Sequence, residues 1–160
     1  MDLKNTFGVL VDELRKKNPV IHAITNYVTA ESCADVALAA GASPVMADEP
    51  EEVAQITAGA DVLVLNLGTL NYTKQIAMER SAEVAKAKGI PVILDPVGVM
   101  TSNIRLNFAL KLLNKGYISI VRGNHSECAA LLDGKTGGRG VDNLAEGTEE
   151  GEALKTAKDA

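Results

Sequence analysis

Six positions in this 160-residue sequence could handle a small polar ligand and a phosphate, and five of them follow or flank a short apolar run. Asn26 lies in Thr25-Asn26-Tyr27-Val28-Thr29. Its amide offers a donor and an acceptor, which suits orienting a neutral polar ligand and also suits an Asx-turn or a helix cap. Met46 lies in the segment 41–48, where a soft thioether can line an apolar pocket or fill a gap in the core. Gly68, in Leu65-Asn66-Leu67-Gly68-Thr69, permits positive φ or close approach of a ligand to backbone, and serves a plain turn as well. Asp95 is fixed by Pro96 in Leu94-Asp95-Pro96-Val97-Gly98. A partly buried carboxylate needs a cation, a metal or a donor, and Mg²⁺ with nucleotide phosphates is one solution beside an Asx-turn. Arg122 can bind phosphate through its planar fork. Glu127 stands three residues after Asn124, the spacing of a capping box, and its carboxylate can also face a metal beside Asp95.

Other chemistry is poorly supported. Cys33 and Cys128 lack Cys-x-x-Cys spacing and read as small core residues in a reducing compartment. His22 reads as a hydrogen-bonded sheet histidine and His125 as a partly exposed residue of a first helical turn. Neither has the company needed for a metal site or a nucleophilic triad. Gly-x-Gly-x-x-Gly, Gly-x4-Gly-Lys-Ser/Thr and Gly-x-Ser-x-Gly do not occur, so a nucleotide site must be of another kind. Sixteen Lys and Arg oppose 21 Asp and Glu for a net charge of −5, and six of those acids lie in 142–160. The near-neutral remainder lacks the basic face that nucleic-acid backbones require. With no signal-peptide pattern and no apolar run of about 18 residues, the expected location is cytoplasmic, with no membrane contact.

The elements that must position these residues are four apolar runs at 20–24, 61–66, 90–95 and 118–122. They are β-branched or leucine-rich without polar alternation, as in strands covered on both faces. Between them lie helical patterns: an amphipathic first helix carrying Leu3, Phe7, Leu10, Val11 and Leu14, then 29–40, 72–88, 103–115 and 124–132. Gly89 is placed to end the 72–88 helix. Asp48 and Glu51 fit a helix cap and its reciprocal partner, with 41–48 read as irregular. Strands and helices alternating about every 30 residues predict an α/β fold, a three-layer βαβ architecture with a mostly parallel sheet. Its ligand crevice lies beyond the carboxyl ends of the strands, where Asn26, Gly68, Asp95, Arg122 and Glu127 fall, while Met46 lies in the segment after the second helix. A length of 160 residues suits about one domain. Residues 1–141 carry the pattern, and 142–160 form an acidic tail that is either exposed or the start of a truncated segment. The sheet is expected to be incomplete at its carboxyl-terminal side.

Five stretches in order carry a resemblance: 18–29 (NPVIHAITNYVT), 41–53 (GASPVMADEPEEV), 64–70 (VLNLGTL), 89–98 (GIPVILDPVG) and 120–130 (IVRGNHSECAA). In these the sequence resembles the hydroxyethylthiazole kinase family, thiamine-salvage enzymes of the ribokinase-like group. The resemblance implies transfer of the γ-phosphoryl of ATP to the hydroxyl of 4-methyl-5-(2-hydroxyethyl)thiazole, with Mg²⁺ as cofactor. It places Asn26, Met46 and Gly68 around the thiazole, and Arg122, Asp95 and Glu127 on the ATP, the two carboxylates reaching the metal directly or through water. It also implies a homotrimer with the thiazole site at a subunit interface, so that Met46 faces a neighbour's site. Two features depart from the family pattern. Met100-Thr101-Ser102 stand where a glycine-containing turn is usual. The Gly-Thr-Gly-Cys turn that supplies the family's anion hole and proposed base has no match in 133–160, so no catalytic residue is assigned here. The chain is expected to be an amino-terminal part, inactive by itself. Two other readings stay open: a non-catalytic binding or assembly protein that keeps the thiazole-side loops, and a ribokinase-like kinase of another small alcohol.

Overall fold

The β-branched and leucine-rich runs pair into a five-stranded parallel sheet in the computed structural model, which describes residues 3–137. The strands are β1 (Val20–Ile24), β2 (Ser43–Val45), β3 (Val62–Asn66), β4 (Val92–Asp95) and β5 (Ile120–Val121), in the order β2-β1-β3-β4-β5. Helices α2 (Ala30–Ala40), α3 (Val53–Ala58), α4 (Tyr72–Lys88) and α5 (Asn103–Asn114) connect them, α1 (Leu3–Lys17) precedes β1 and α6 (His125–Asp133) follows β5, with a 3₁₀ turn at Val99–Thr101. Right-handed crossovers put α2 on one face and α3, α4 and α5 on the other. The packing of α1 on α2, α3 on α4 and α4 on α5 agrees. The core lies under the second group: Ile24, Leu63, Leu65, Met78, Leu94 and Leu112 are wholly buried. The α/β, three-layer expectation holds.

Four readings are corrected. The segment 41–48 is not wholly irregular, because Ser43–Val45 adds a parallel edge strand paired from Val20↔Ser43 to His22↔Val45. Three residues are too few to show a period, and Pro44 is tolerated at an edge, where its missing N–H is not needed. Strands β4 and β5 are also shorter than the apolar runs; β4 begins only after Pro91, and β5 is two residues long. Asp48 and Glu51 do not cap a helix: α3 starts at Val53 behind Glu52 with no side-chain cap. Glu51 instead reaches Arg80 at 2.8 Å. Cys33 is exposed, not core, whereas Cys128 is half-buried and burial pushes its thiol pKa up, aided by the Glu127 charge.

Helix ends follow their local chemistry. Asn71 caps α4 by accepting from Lys74 N at 2.8 Å, and Gly89 ends it in the left-handed region at φ 71°. Met100 causes no disruption at its unusual position: its side chain is buried in the core, and the left-handed turn falls on Gly98. The acidic tail at 142–160, and with it the boundary at 141, lies outside the described residues. Among the described residues no helix is long and apolar enough to cross a membrane.

Candidate active site

Parallel pairing brings the strand ends into line. Asn66 at the end of β3 sits in register with Asp95 at the end of β4, and Leu65 with Ile24 of β1. One hydrogen-bonded run crosses these ends. Asn26 Nδ2 donates to Asn66 Oδ1 at 3.0 Å, and Asn66 Nδ2 donates to Asp95 Oδ2 at 2.8 Å. The same Asp95 oxygen accepts from Arg122 Nη1 at 3.1 Å. Asn26 and Asn66 are buried, the Asp95 side chain is 15% exposed and that of Arg122 is 77% exposed. A buried amide pair thus leads to a carboxylate at the crevice wall and a guanidinium in the open.

Asn26 also has a structural duty. Its Oδ1 accepts from Val28 N, Thr29 N and the Thr29 hydroxyl, an Asx-type turn into α2. Gly68 resolves toward close approach and not positive φ. A Cβ there would lie 2.8 Å from Asn26 Cβ and 2.9 Å from Asn66 Oδ1, while its N–H donates to that same Oδ1 at 2.9 Å.

Asp95, Arg122 and Glu127 line one cavity of about 400 Å³ with Val97, Gly123 and Asn124. Glu127 is buried and completes a capping box: Asn124 Oδ1 accepts from Glu127 N, and Glu127 Oε2 accepts from Asn124 N, both at 2.9 Å. Its Oε1 accepts from Gly98 N at 3.3 Å, tying the turn after β4 to α6. Met46 does not join Asn26 and Gly68. It lines a separate apolar groove of about 530 Å³ between α2 and the sheet, with Ile21, Ala23, Val36, Pro44 and Val64.

Among the described residues no group of three His, Cys, Asp or Glu could hold a metal. Mg²⁺ does not need one, since it is usually held by one or two carboxylates together with substrate phosphates. Asp95 beside Arg122 fits that pattern. Both Glu127 oxygens already accept backbone N–H groups, which suits contact through water better than direct ligation.

Sequence reasoning missed two residues. Asn66 joins both halves of the site, and its signal was available, a polar side chain at a strand end like Asn26 and Asp95. Lys74 gave none. It is almost wholly buried beneath the loops, its Nζ donating to Thr25 O and lying 3.8 Å from Asp48 Oδ2. Burial lowers its pKa, partly offset by the Asp48 charge. His22 is the hydrogen-bonded sheet histidine expected: it is buried in β1, its Nδ1 is 2.8 Å from Thr57 Oγ1 and its Nε2 3.0 Å from Ala47 O. Burial lowers its pKa against weaker raising contributions from Ala47 and Glu52.

These features define a parallel α/β protein with a polar crevice at the carboxyl ends of neighbouring strands. The family model described as the hydroxyethylthiazole kinase family matches residues 11–160. The chain belongs to that family. It is 44% identical over 151 residues to a hydroxyethylthiazole kinase of Ruminiclostridium cellulolyticum, covering 94% of this chain and 55% of the relative. A hydroxyethylthiazole kinase of Clostridium tetani is 48% identical over 130 residues, 81% of this chain and 47% of the relative. A solved structure, titled as a hydroxyethylthiazole kinase protein from Pyrococcus horikoshii OT3, superposes with a TM-score of 0.75 at 37% identity. It covers 78% of this chain and 48% of that one. The chain spans about half the length of the curated relatives it matches.

Proposed function

We propose that this chain supplies the acceptor side and the nucleotide side of a site that phosphorylates 4-methyl-5-(2-hydroxyethyl)thiazole from ATP. The observation that carries this is the run Asn26–Asn66–Asp95–Arg122 across three strand ends, in a chain of this family. Asn26 and Gly68 face the thiazole alcohol, and Met46 offers an apolar wall to a site shared between subunits. Arg122 binds phosphate. Asp95 would hold Mg²⁺, with Glu127 assisting through water, and the ion would offset charge on the phosphate oxygens.

Phosphoryl transfer depends on positioning and charge neutralisation more than on covalent chemistry. The acceptor oxygen bonds to the γ-phosphorus as its bond to the β–γ bridging oxygen breaks, ADP leaves, and the hydroxyl proton passes to a base. The resemblance assigns that base to the Cys of a Gly-Thr-Gly-Cys turn, which does not occur in residues 1–160. Cys33 lies on exposed α2, and the Cys128 thiol is biased toward its protonated form, so neither takes the role. The 160-residue chain is therefore expected to bind without turning over. Losing one oxyanion-type donor commonly costs about 10²–10³-fold, and here the whole turn is missing.

A homotrimer in the cytoplasm is part of the same reading. Tyr27, Val28 and Val36 are 68%, 83% and 70% exposed beside the Met46 groove, apolar surface that a second copy would cover. The net charge of −5 supports small-molecule partners over nucleic acid.

Calorimetric titration of the 160-residue chain with the thiazole alcohol and with Mg-ATP tests the reading. Binding of both, with Arg122→Ala losing only the nucleotide, is expected. Alcohol binding without nucleotide would favour a binding or assembly role, and preference for another small alcohol would favour a related kinase. Turnover near that of an intact family enzyme would overturn the expected inactivity.

A further inference from the structure

A lysine with almost no exposed surface, in a helix whose other face meets solvent, is an unusual expense unless its charge is used. Lys74 occupies the first turn of α4, and its ammonium touches three separate loops at the carboxyl end of the sheet. From the loop after β1, Thr25 O accepts its hydrogen bond and the Tyr27 ring lies with its centroid 3.7 Å from Nζ. From the segment after β2, Asp48 Oδ2 stands 3.8 Å away. From the loop after β3, Thr69 Oγ1 lies at 3.5 Å. Thr25, Asp48 and Thr69 stand one, two and one residues from Asn26, Met46 and Gly68 along the chain. A second observation concerns the backbone of one of these loops. Thr69 is a β-branched residue at φ 46°, in the left-handed region, and its hydroxyl also accepts from Tyr27 N at 3.3 Å. A β-branched side chain holds that conformation only where its surroundings impose it, and such strain clusters at ligand sites.

We propose that Lys74 is the positioning residue of the acceptor side, its buried ammonium setting the mutual spacing of the three loops that carry Asn26, Met46 and Gly68. This rests on the acceptor-side reading above for what the loops bind, but not for the tie itself. One point charge with three donor hydrogens can engage a carbonyl, a hydroxyl and a carboxylate at once while its ammonium lies against an aromatic face. No apolar residue of similar volume can do so. Removing it leaves the Thr25 carbonyl and Asp48 without their shared partner and lets each loop relax separately.

The test uses the 160-residue chain with labelled Thr and Ala methyl groups, observed by NMR without ligand. The titratable groups that face Nζ are Asp48 and Tyr27, and His22 of β1 reaches the same segment through Ala47 O. Tyr27→Phe therefore serves as background, keeping the ring while removing the phenol. On raising the pH, the methyls of Thr25, Ala47 and Thr69 are expected to shift together. Their common midpoint should lie below the ordinary lysine value of about 10.4, because burial disfavours the ammonium. Lys74→Met should abolish that shared response and weaken the thiazole alcohol about tenfold or more, leaving Mg-ATP binding unchanged. Independent midpoints, or no movement, would overturn the proposal, and so would a folded Lys74→Met chain that binds the alcohol normally. If Lys74→Met does not fold, the titration in the Tyr27→Phe background still decides. Coupled methyl shifts in a chain that never binds the alcohol would support the tie and count against the acceptor reading alone.

Discussion

At the scale of single residues, Gly68 shows how an atom that is not there shapes a site. A lone glycine after a strand has many ordinary explanations, and only the three-dimensional neighbourhood selects among them. Here Asn26 comes from 42 positions earlier in the chain and Asn66 from the end of β3 just before the glycine, and both press against the space a Cβ would fill. Gly68→Ala must displace one of them, and both belong to the run that leads through Asp95 to Arg122. The surrounding core can give a little, so a loss of about 1–3 kcal/mol in stability is expected from overpacking, measurable by denaturant unfolding. Affinity should suffer more than stability. Misplacing an orienting group by about 1 Å can cost on the order of 100-fold in function, so thiazole-alcohol affinity is expected to fall at least about tenfold. Unchanged affinity in a destabilised protein would mean that Asn26 serves only its turn.

At the scale of elements, His22 ties β1 to α3 through Thr57 and to the segment after β2 through Ala47. Burial disfavours the imidazolium, so its folded pKa lies below the unfolded value of about 6.5. The sign follows. Above that value both states are neutral and nothing is lost. As pH falls below about 6.5 the unfolded chain takes up a proton that the folded chain resists, and stability declines until the folded pKa is reached. Thermal unfolding followed from pH 8 to 5 should show a midpoint that drops below about 6.5, and His22→Gln should flatten that drop. An equally steep drop in the variant would place the cause in the carboxylates. The elements that the sequence made legible are those with long, strong patterns: β1, β3, β4, α4 with Gly89, and the Asn124–Glu127 box. The edge strand β2 was not legible, because three residues including Pro44 carry no period and its pairing partner lies 23 positions away. The strand-end residues Asn26, Asp95 and Arg122 could be located from the parallel-sheet rule alone. Lys74 could not, since a lysine in a helix with Lys, Gln and Glu neighbours looks like any solvated position, and only tertiary contacts bury it.

At the scale of the whole molecule, the two faces of the sheet are unlike. The face under α3, α4 and α5 is closed, with Leu63, Leu65, Val92 and Leu94 wholly buried. On the other, the in-register row Ala23, Val64, Ile93 and Ile120 runs from under α2 to an Ile120 that is 55% exposed. The Met46 groove opens beside this row, and α2 turns Val36 outward at 70% exposure above it. Apolar surface of this kind on a described domain argues for a partner, and the trimer reading makes that partner a second copy of the chain. Val36→Asp separates association from folding. An exposed position tolerates substitution within about 0.5 kcal/mol, so the variant should unfold at nearly the same denaturant concentration as the parent. A carboxylate at the centre of a shared apolar surface would be buried without a partner and would block assembly. Light scattering coupled to gel filtration should then give a trimer for the parent and a monomer for the variant. Since Met46 lines the same groove, thiazole-alcohol affinity should fall with assembly, while Mg-ATP binding at Asp95 and Arg122 persists. A monomeric parent that binds the alcohol as well as its variant would place the whole acceptor pocket within one subunit, and Met46 would then be a groove residue with no part in it.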